Sequence, residues 1–89
     1  MPTHRYIYHG RVQGVGFRYT TASIARRFHV TGYVKNLRDG TVELVVAGES
    51  GVAAAFLDEI AEALGGNITE REERPAPCGE SFLGFDMRH

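Results

Sequence analysis

Hydrophobic and polar positions divide the chain into alternating strand-like and helix-like segments. Residues 4–12 (His-Arg-Tyr-Ile-Tyr-His-Gly-Arg-Val) are rich in aromatic and β-branched residues and predict a first strand. Period-two spacing puts Tyr6, Tyr8 and Val12 on one face and Ile7, His9 and Arg11 on the other. From Phe17 to Phe28 the spacing becomes helical: Ala22, Ala25 and Phe28 follow a three-residue step, and Ile24 with Phe28 a four-residue one. Arg26, Arg27 and His29 then place positive charge where a helix C-terminus favours it. Gly32 to Leu37 predicts a second strand, and Arg38-Asp39-Gly40 a hairpin turn, because Asp-Gly readily takes positive φ. Thr41 to Ala47 alternates Val42, Leu44 and Val46 on one face.

Ser50 is the expected N-cap of a second helix. Its apolar stripe is Ala53, Phe56, Leu57, Ile60 and Leu64, and Gly65-Gly66 ends it. Asn67 to Arg74 fits a polar fourth strand, Pro75-Ala-Pro77 breaks regularity, and Ser81 to Arg88 allows a short last strand. The order strand, helix, strand, strand, helix, strand, with one strand added, is the split βαβ or ferredoxin-like plan of an α+β fold. There is no internal repeat and no long linker, so residues 1–89 are expected to form a single domain with one modest core.

Composition narrows the partners. The net charge of −1 supplies no global positive field for nucleic acid or anionic membranes, so any bound anion needs a local site. No apolar run approaches the roughly 18 residues of a membrane span. The start, Met1-Pro2-Thr3-His4-Arg5, lacks the apolar region of a signal peptide. Cys78 is the only cysteine, which rules out an internal disulfide framework. A cytoplasmic monomer is expected.

The stretch with chemical content is Gly10-Arg-Val-Gln-Gly-Val-Gly-Phe-Arg18, between the first strand and the first helix. A short glycine-containing loop there can turn successive N–H groups inward as an anion nest, and the helix start adds free N–H groups and partial positive charge. Arg18 offers a planar fork of donors for a phosphoryl group. Taken alone, this pattern is equally a plain strand–helix turn with a surface arginine. A P-loop is excluded because Gly16 is followed by Phe17-Arg18, and a dinucleotide fingerprint because position 19 is Tyr. Asn36 lies late in the second strand. A right-handed crossover makes that strand parallel to the first, bringing Asn36 to the same sheet edge as the loop. Without the loop, Asn36 reads as an ordinary strand end before a turn.

The two segments together resemble the acylphosphatase family. Gly10 to Arg18 is similar to that family's first signature, Gly-Arg-Val-Gln-Gly-Val-x-Phe-Arg. Gly32-Tyr-Val-Lys-Asn36-Leu-Arg-Asp-Gly40-Thr-Val42, with Gly48 beyond, is similar to the second. The resemblance covers nearly the whole chain. It implies an open sheet of five strands with two helices on one face, and hydrolysis of acyl phosphates. It also implies Arg18 as the phosphate-binding residue, Asn36 as the residue orienting the attacking water, and backbone donors from Gln13, Gly14, Val15, Gly16 and Phe17. The expected enzyme needs neither cofactor nor metal: the leaving carboxylate, from an acid of ordinary pKa about 4, requires no protonation. Arginine and backbone donors supply the positive charge.

The remaining residues read more plainly. His4, His9, His29 and His89 lack metal-ligand spacing. Glu70 to Arg74 mixes charges like an exposed strand face, Lys35 is expected on the face opposite Asn36, and Cys78 in its Pro-containing loop has no catalytic neighbour in sequence. The chain ends on His89 where many relatives end on an aromatic; in some relatives the end approaches the phosphate-binding arginine. A His89 so placed is expected to make substrate affinity more pH-dependent. Three other readings remain: a carbamoyl-phosphate-handling domain like the acylphosphatase-like module of hydrogenase-maturation carbamoyltransferases, an anion-binding relic, and an RNA-binding ferredoxin-like module. Gly14-Val-Gly-Phe17 echoes the RNP1 motif of the last, but RNP1 lies on a strand and this stretch is expected in a loop.

Overall fold

The computed structural model describes residues 2–89. Its elements are β1 (Thr3–Gly10), α1 (Phe17–Ala25), β2 (Thr31–Asn36), β3 (Val42–Ala47), α2 (Ser50–Leu64), a 3-10 turn (Gly65–Asn67), β4 (Ile68–Arg74) and β5 (Phe85–Arg88). The strands form one open five-stranded sheet in the order β4-β1-β3-β2-β5. β1 and β2 are each antiparallel to β3, so they run the same way and finish at one end of the sheet. β5 adds outside β2 in parallel. The architecture is the expected α+β ferredoxin-like one.

Register assigns the faces. Tyr6 pairs with Leu44, Tyr8 with Val42 and Val34 with Leu44, and these side chains join the stripes of both helices in one core. Phe56 and Ile60 of α2 are fully buried there, each gaining about 1.5–3 kcal/mol over exposure. Asn36 pairs with Val42 and Lys35 with Glu43, so these two residues lie on opposite faces, Asn36 toward the helices.

The other face departs from simple polar-out alternation. Ile7, Val45 and Tyr33 are buried although no helix lies over them. Side chains and the chain between β4 and β5 cover them. Phe82 packs on Tyr33 with ring centroids 6.0 Å apart, the Arg88 guanidinium sits 3.9 Å over the same ring, and Arg5 bonds Glu43 at 2.6 Å.

Several element ends also differ from expectation. β1 stops at Gly10, and Arg11 donates to the Asn67 carbonyl instead of continuing the ladder. α1 stops at Ala25: Arg27 and Phe28 donate three residues back, to Ile24 and Ala25, tightening the last turn before the chain drops into β2. Arg26, Arg27 and His29 therefore follow the helix. Glu49, not Ser50, caps α2; its backbone is extended and its Oε1 accepts from Gly51 N at 3.0 Å. The last strand is paired only from Phe85.

Candidate active site

The β1–α1 loop closes with two left-handed residues, Gly14 and Gly16, both at φ 75°. That conformation costs other L-residues a Cβ clash, which explains glycine at these positions. Gly16 is the N-cap of α1 and supplies no side-chain cap, and the first turn contains no acidic residue. The first N–H groups of α1 are thus uncapped by side chains and carry the helix's partial positive charge. Phe17, buried at the head of the helix, is braced by Tyr8, ring centroids 5.1 Å apart.

The loop's aim is set by Gln13. Its Nε2 donates to the carbonyls of Leu37 (2.7 Å) and Thr41 (2.8 Å), tying the loop to the β2–β3 hairpin. On the hairpin, Asp39 accepts from both the backbone and the hydroxyl of Thr41. These bonds draw the Asp39 carboxyl below its usual pKa. The parallel course of β1 and β2 and this tie together bring Asn36 to the loop.

The result is a cavity of about 160 Å³ lined by Gly14, Gly16, Phe17, Arg18 and Asn36, with Val12, Tyr19 and Met87 completing its wall. The Oδ1 of Asn36 is buried and accepts no hydrogen bond among the described residues. Arg18 Nη1 donates to the Arg88 carbonyl at 2.9 Å and lies 3.3 Å from His89 Nδ1. Both contacts are to atoms without a full negative charge, and among the described residues no carboxylate pairs with Arg18.

Arg18, Asn36, Gly14, Gly16 and Phe17 are brought together as the sequence predicts. Gln13 and Val15 do not line the cavity, and the Gln13 side chain faces the hairpin. His89 reaches Arg18, a placement that the sequence left open. Sequence reasoning missed Tyr19 and Met87. Tyr19 was detectable as the residue beside Arg18 on the first helical turn. Met87 needed the parallel register of β5 on β2, which pairs it with Val34 and carries it onto the helix side. Gly14 to Phe17 lie in the loop and helix start, off the sheet, unlike an RNP1 strand. Among the described residues no three His, Cys, Asp or Glu side chains cluster in metal-binding geometry, and no helix is long and apolar enough to cross a membrane.

A cation-bearing anion cradle at a helix start, facing a buried amide across one cavity, suits phosphoryl chemistry. The acylphosphatase family profile matches residues 4–87, and the chain belongs to that family. Among curated relatives, the acylphosphatase of Methanospirillum hungatei is 41% identical over 77 residues, covering 83% of this chain and 85% of the relative. The crystal structure of acylphosphatase from Bacillus subtilis superposes with a TM-score of 0.85 at 29% identity, covering all of both chains. HypF of T. kodakarensis is also similar, with a TM-score of 0.79 at 29% identity. That match covers 98% of this chain but 12% of HypF.

Proposed function

We propose that this chain is a single-domain acylphosphatase that splits acyl phosphates into carboxylate and inorganic phosphate without a metal. The observation that carries the proposal is the pairing, in one cavity, of the uncompensated Arg18 guanidinium with the buried, unpartnered Oδ1 of Asn36. Arg18 and backbone N–H groups of the segment from Gln13 to Phe17 hold the phosphoryl oxygens, a task of positioning and electrostatics. Asn36 Oδ1 is an acceptor only, so the molecule it holds must bring a hydrogen; a water bound there presents its lone pair to phosphorus. Attack forms the new P–O bond as the P–O bond to the acyl oxygen breaks. The electron pair leaves on the carboxylate, and the proton of the attacking water passes to the released phosphate. No acid is needed for so stable a leaving group.

Tyr19 and Met87 border the cavity with apolar surface, and Tyr19 is 67% exposed. That border gives the acyl group a dry wall beside the charged cradle. The proposal extends to a cytoplasmic monomer acting on a small molecule and not on nucleic acid; the net charge of −1 supports the last point.

The test is hydrolysis of benzoyl phosphate in EDTA by wild type, Arg18→Ala and Asn36→Ala. Turnover should persist in EDTA, Arg18→Ala should lose both binding and turnover, and Asn36→Ala should lose mainly turnover. A folded wild type with no turnover above the uncatalysed rate, on either benzoyl or carbamoyl phosphate, would refute the proposal.

A further inference from the structure

A second, larger recess lies on the helix side of the sheet, between α2 and the edge strand β4. It is an open recess of about 480 Å³ lined by Tyr8, Asp58, Ala61, Gly65, Ile68 and Arg71. The residues of β4 are mostly exposed. The two glycines after the helix add no side chain to fill the gap.

Three polar side chains, Tyr8, Asp58 and Arg71, line the recess. The Tyr8 side chain is 98% buried, and its hydroxyl finds no hydrogen-bond partner among the described residues. Burial pushes that hydroxyl up to about 12 against the opposing charge and close side-chain approach of Arg71, so near neutrality it is a neutral donor. Arg71 stands directly across the ladder from Tyr8 and lies over the Tyr6 ring at 5.1 Å, with its charge matched by no carboxylate among the described residues. Asp58, on the facing helix, likewise makes no ion pair or hydrogen bond among the described residues. The neighbouring Glu73 is already engaged by His4 at 3.2 Å.

A buried polar atom without a partner is uncommon in native proteins and calls for an explanation. Here it belongs to a residue that lines a recess roomy enough for a small organic molecule, with one exposed arginine and one exposed carboxylate on its banks. A simple anion such as phosphate would meet Asp58 as a like charge, and a simple amine would meet Arg71 the same way. A molecule carrying both a carboxylate and an ammonium matches both walls. Its carboxylate takes the Arg71 fork and the Tyr8 hydroxyl, its ammonium takes Asp58, and its methylenes lie on Ala61 and Ile68.

From this arrangement we infer that the recess is a binding site for a small zwitterion of the amino-acid class, distinct from the phosphoryl cavity. The inference does not depend on the proposed hydrolase activity, because its residues belong to neither the loop nor the cavity around Arg18.

The test is an amide NMR titration of the full chain with glycine, β-alanine and γ-aminobutyrate, whose charge separation increases along the series. Propionate and propylamine serve as single-charge controls. One zwitterion should give saturable shifts at Gly65, Ile68 and Arg71 and bind about tenfold or more tighter than either control. Arg71→Met and Asp58→Asn should each abolish saturation. Tyr8→Phe should stay folded, since it deletes a hydroxyl with no partner, and should weaken binding several-fold. Ala61→Leu, at an exposed helix position, should block the recess without disturbing the core. Shifts that never saturate with any zwitterion would overturn the site. So would controls binding as tightly as the zwitterions, or saturation that survives Arg71→Met.

Discussion

The open sheet face and the loop end of the molecule use the same residue types to opposite ends. On the open face, basic side chains meet carboxylates: Arg5 bonds Glu43, Arg74 and His9 both bond Glu72, and Arg88 bonds Glu80. At the loop end, Arg18 meets only a carbonyl and an imidazole nitrogen. A paired arginine fixes geometry but has little charge left for a ligand. An arginine held by a backbone carbonyl and without a carboxylate partner is oriented and still fully cationic. The difference separates a cation engaged by a counter-charge from one left without a counter-charge among the described residues.

Exchanging the loss between the two regions is the strongest way to break that comparison. Arg18→Ala should lower kcat/KM for benzoyl phosphate by about 10³-fold or more. Its melting temperature should hardly move, because no buried charge is stranded. Arg5→Ala should do the reverse. It leaves Glu43, 10% exposed, without its partner, and should cost about 2–3 kcal/mol in denaturant unfolding. That is below the full cost of breaking a buried pair because Arg5 is itself 30% exposed, and turnover at permissive temperature should be retained. An Arg5→Ala enzyme as inactive as Arg18→Ala while still folded would collapse the distinction.

A smaller effect isolates the loop backbone. Nothing lies within 4 Å of a Cβ built on Gly16, so Gly16→Ala adds no clash with its surroundings. The cost is the φ of 75° alone, about 1–2 kcal/mol, read as weaker stability or as a loop relaxed away from the phosphate. An alanine variant equal to wild type in both stability and KM would remove the conformational argument for glycine there.

The smallest effect is electrostatic and belongs to the open face. Hydrogen bonds from Arg74 and His9 bring Glu72 down from 4.5 to about 2. A depressed carboxyl stabilises the fold above its unfolded value. The Glu72 contribution should therefore be complete above about 4.5 and fade as pH falls toward about 2. Melting temperature against pH should be flatter through that window in Glu72→Gln than in wild type, while the phosphoryl site is unaffected. Parallel curves would mean that Glu72 and its partners contribute nothing to acid stability.

The functional end was far more legible in the sequence than the open face. The glycine-containing loop and the place of Asn36 beside it follow from glycine spacing plus one topological rule, the right-handed parallel crossover from β1 to β2. The roles of Arg18 and Asn36 came only from the resemblance of the two segments to the acylphosphatase signatures. Met87 was not legible, because its place depends on a parallel pairing between strands far apart in sequence, and periodicity carries no register. Burial of Ile7, Val45 and Glu43 was not legible either. Alternation assigns one face to solvent, and only tertiary structure shows the chain before β5 and the long side chains returning to cover it. The Glu49 cap escaped because the usual preference favours Ser50, whereas the chain turns one residue earlier and the longer carboxylate reaches the free N–H.

The central claim, that Arg18 holds the phosphoryl group while Asn36 serves the water, is tested most directly with inorganic phosphate as ligand. Its inhibition constant should be measured for wild type and Asn36→Ala, and its binding to Arg18→Ala followed by calorimetry. The account predicts that Asn36→Ala keeps the phosphate constant within about twofold while kcat falls by about 10²-fold or more, and that Arg18→Ala binds no phosphate. Arg18→Ala binding phosphate as tightly as wild type, or Asn36→Ala losing phosphate affinity in step with turnover, would contradict it.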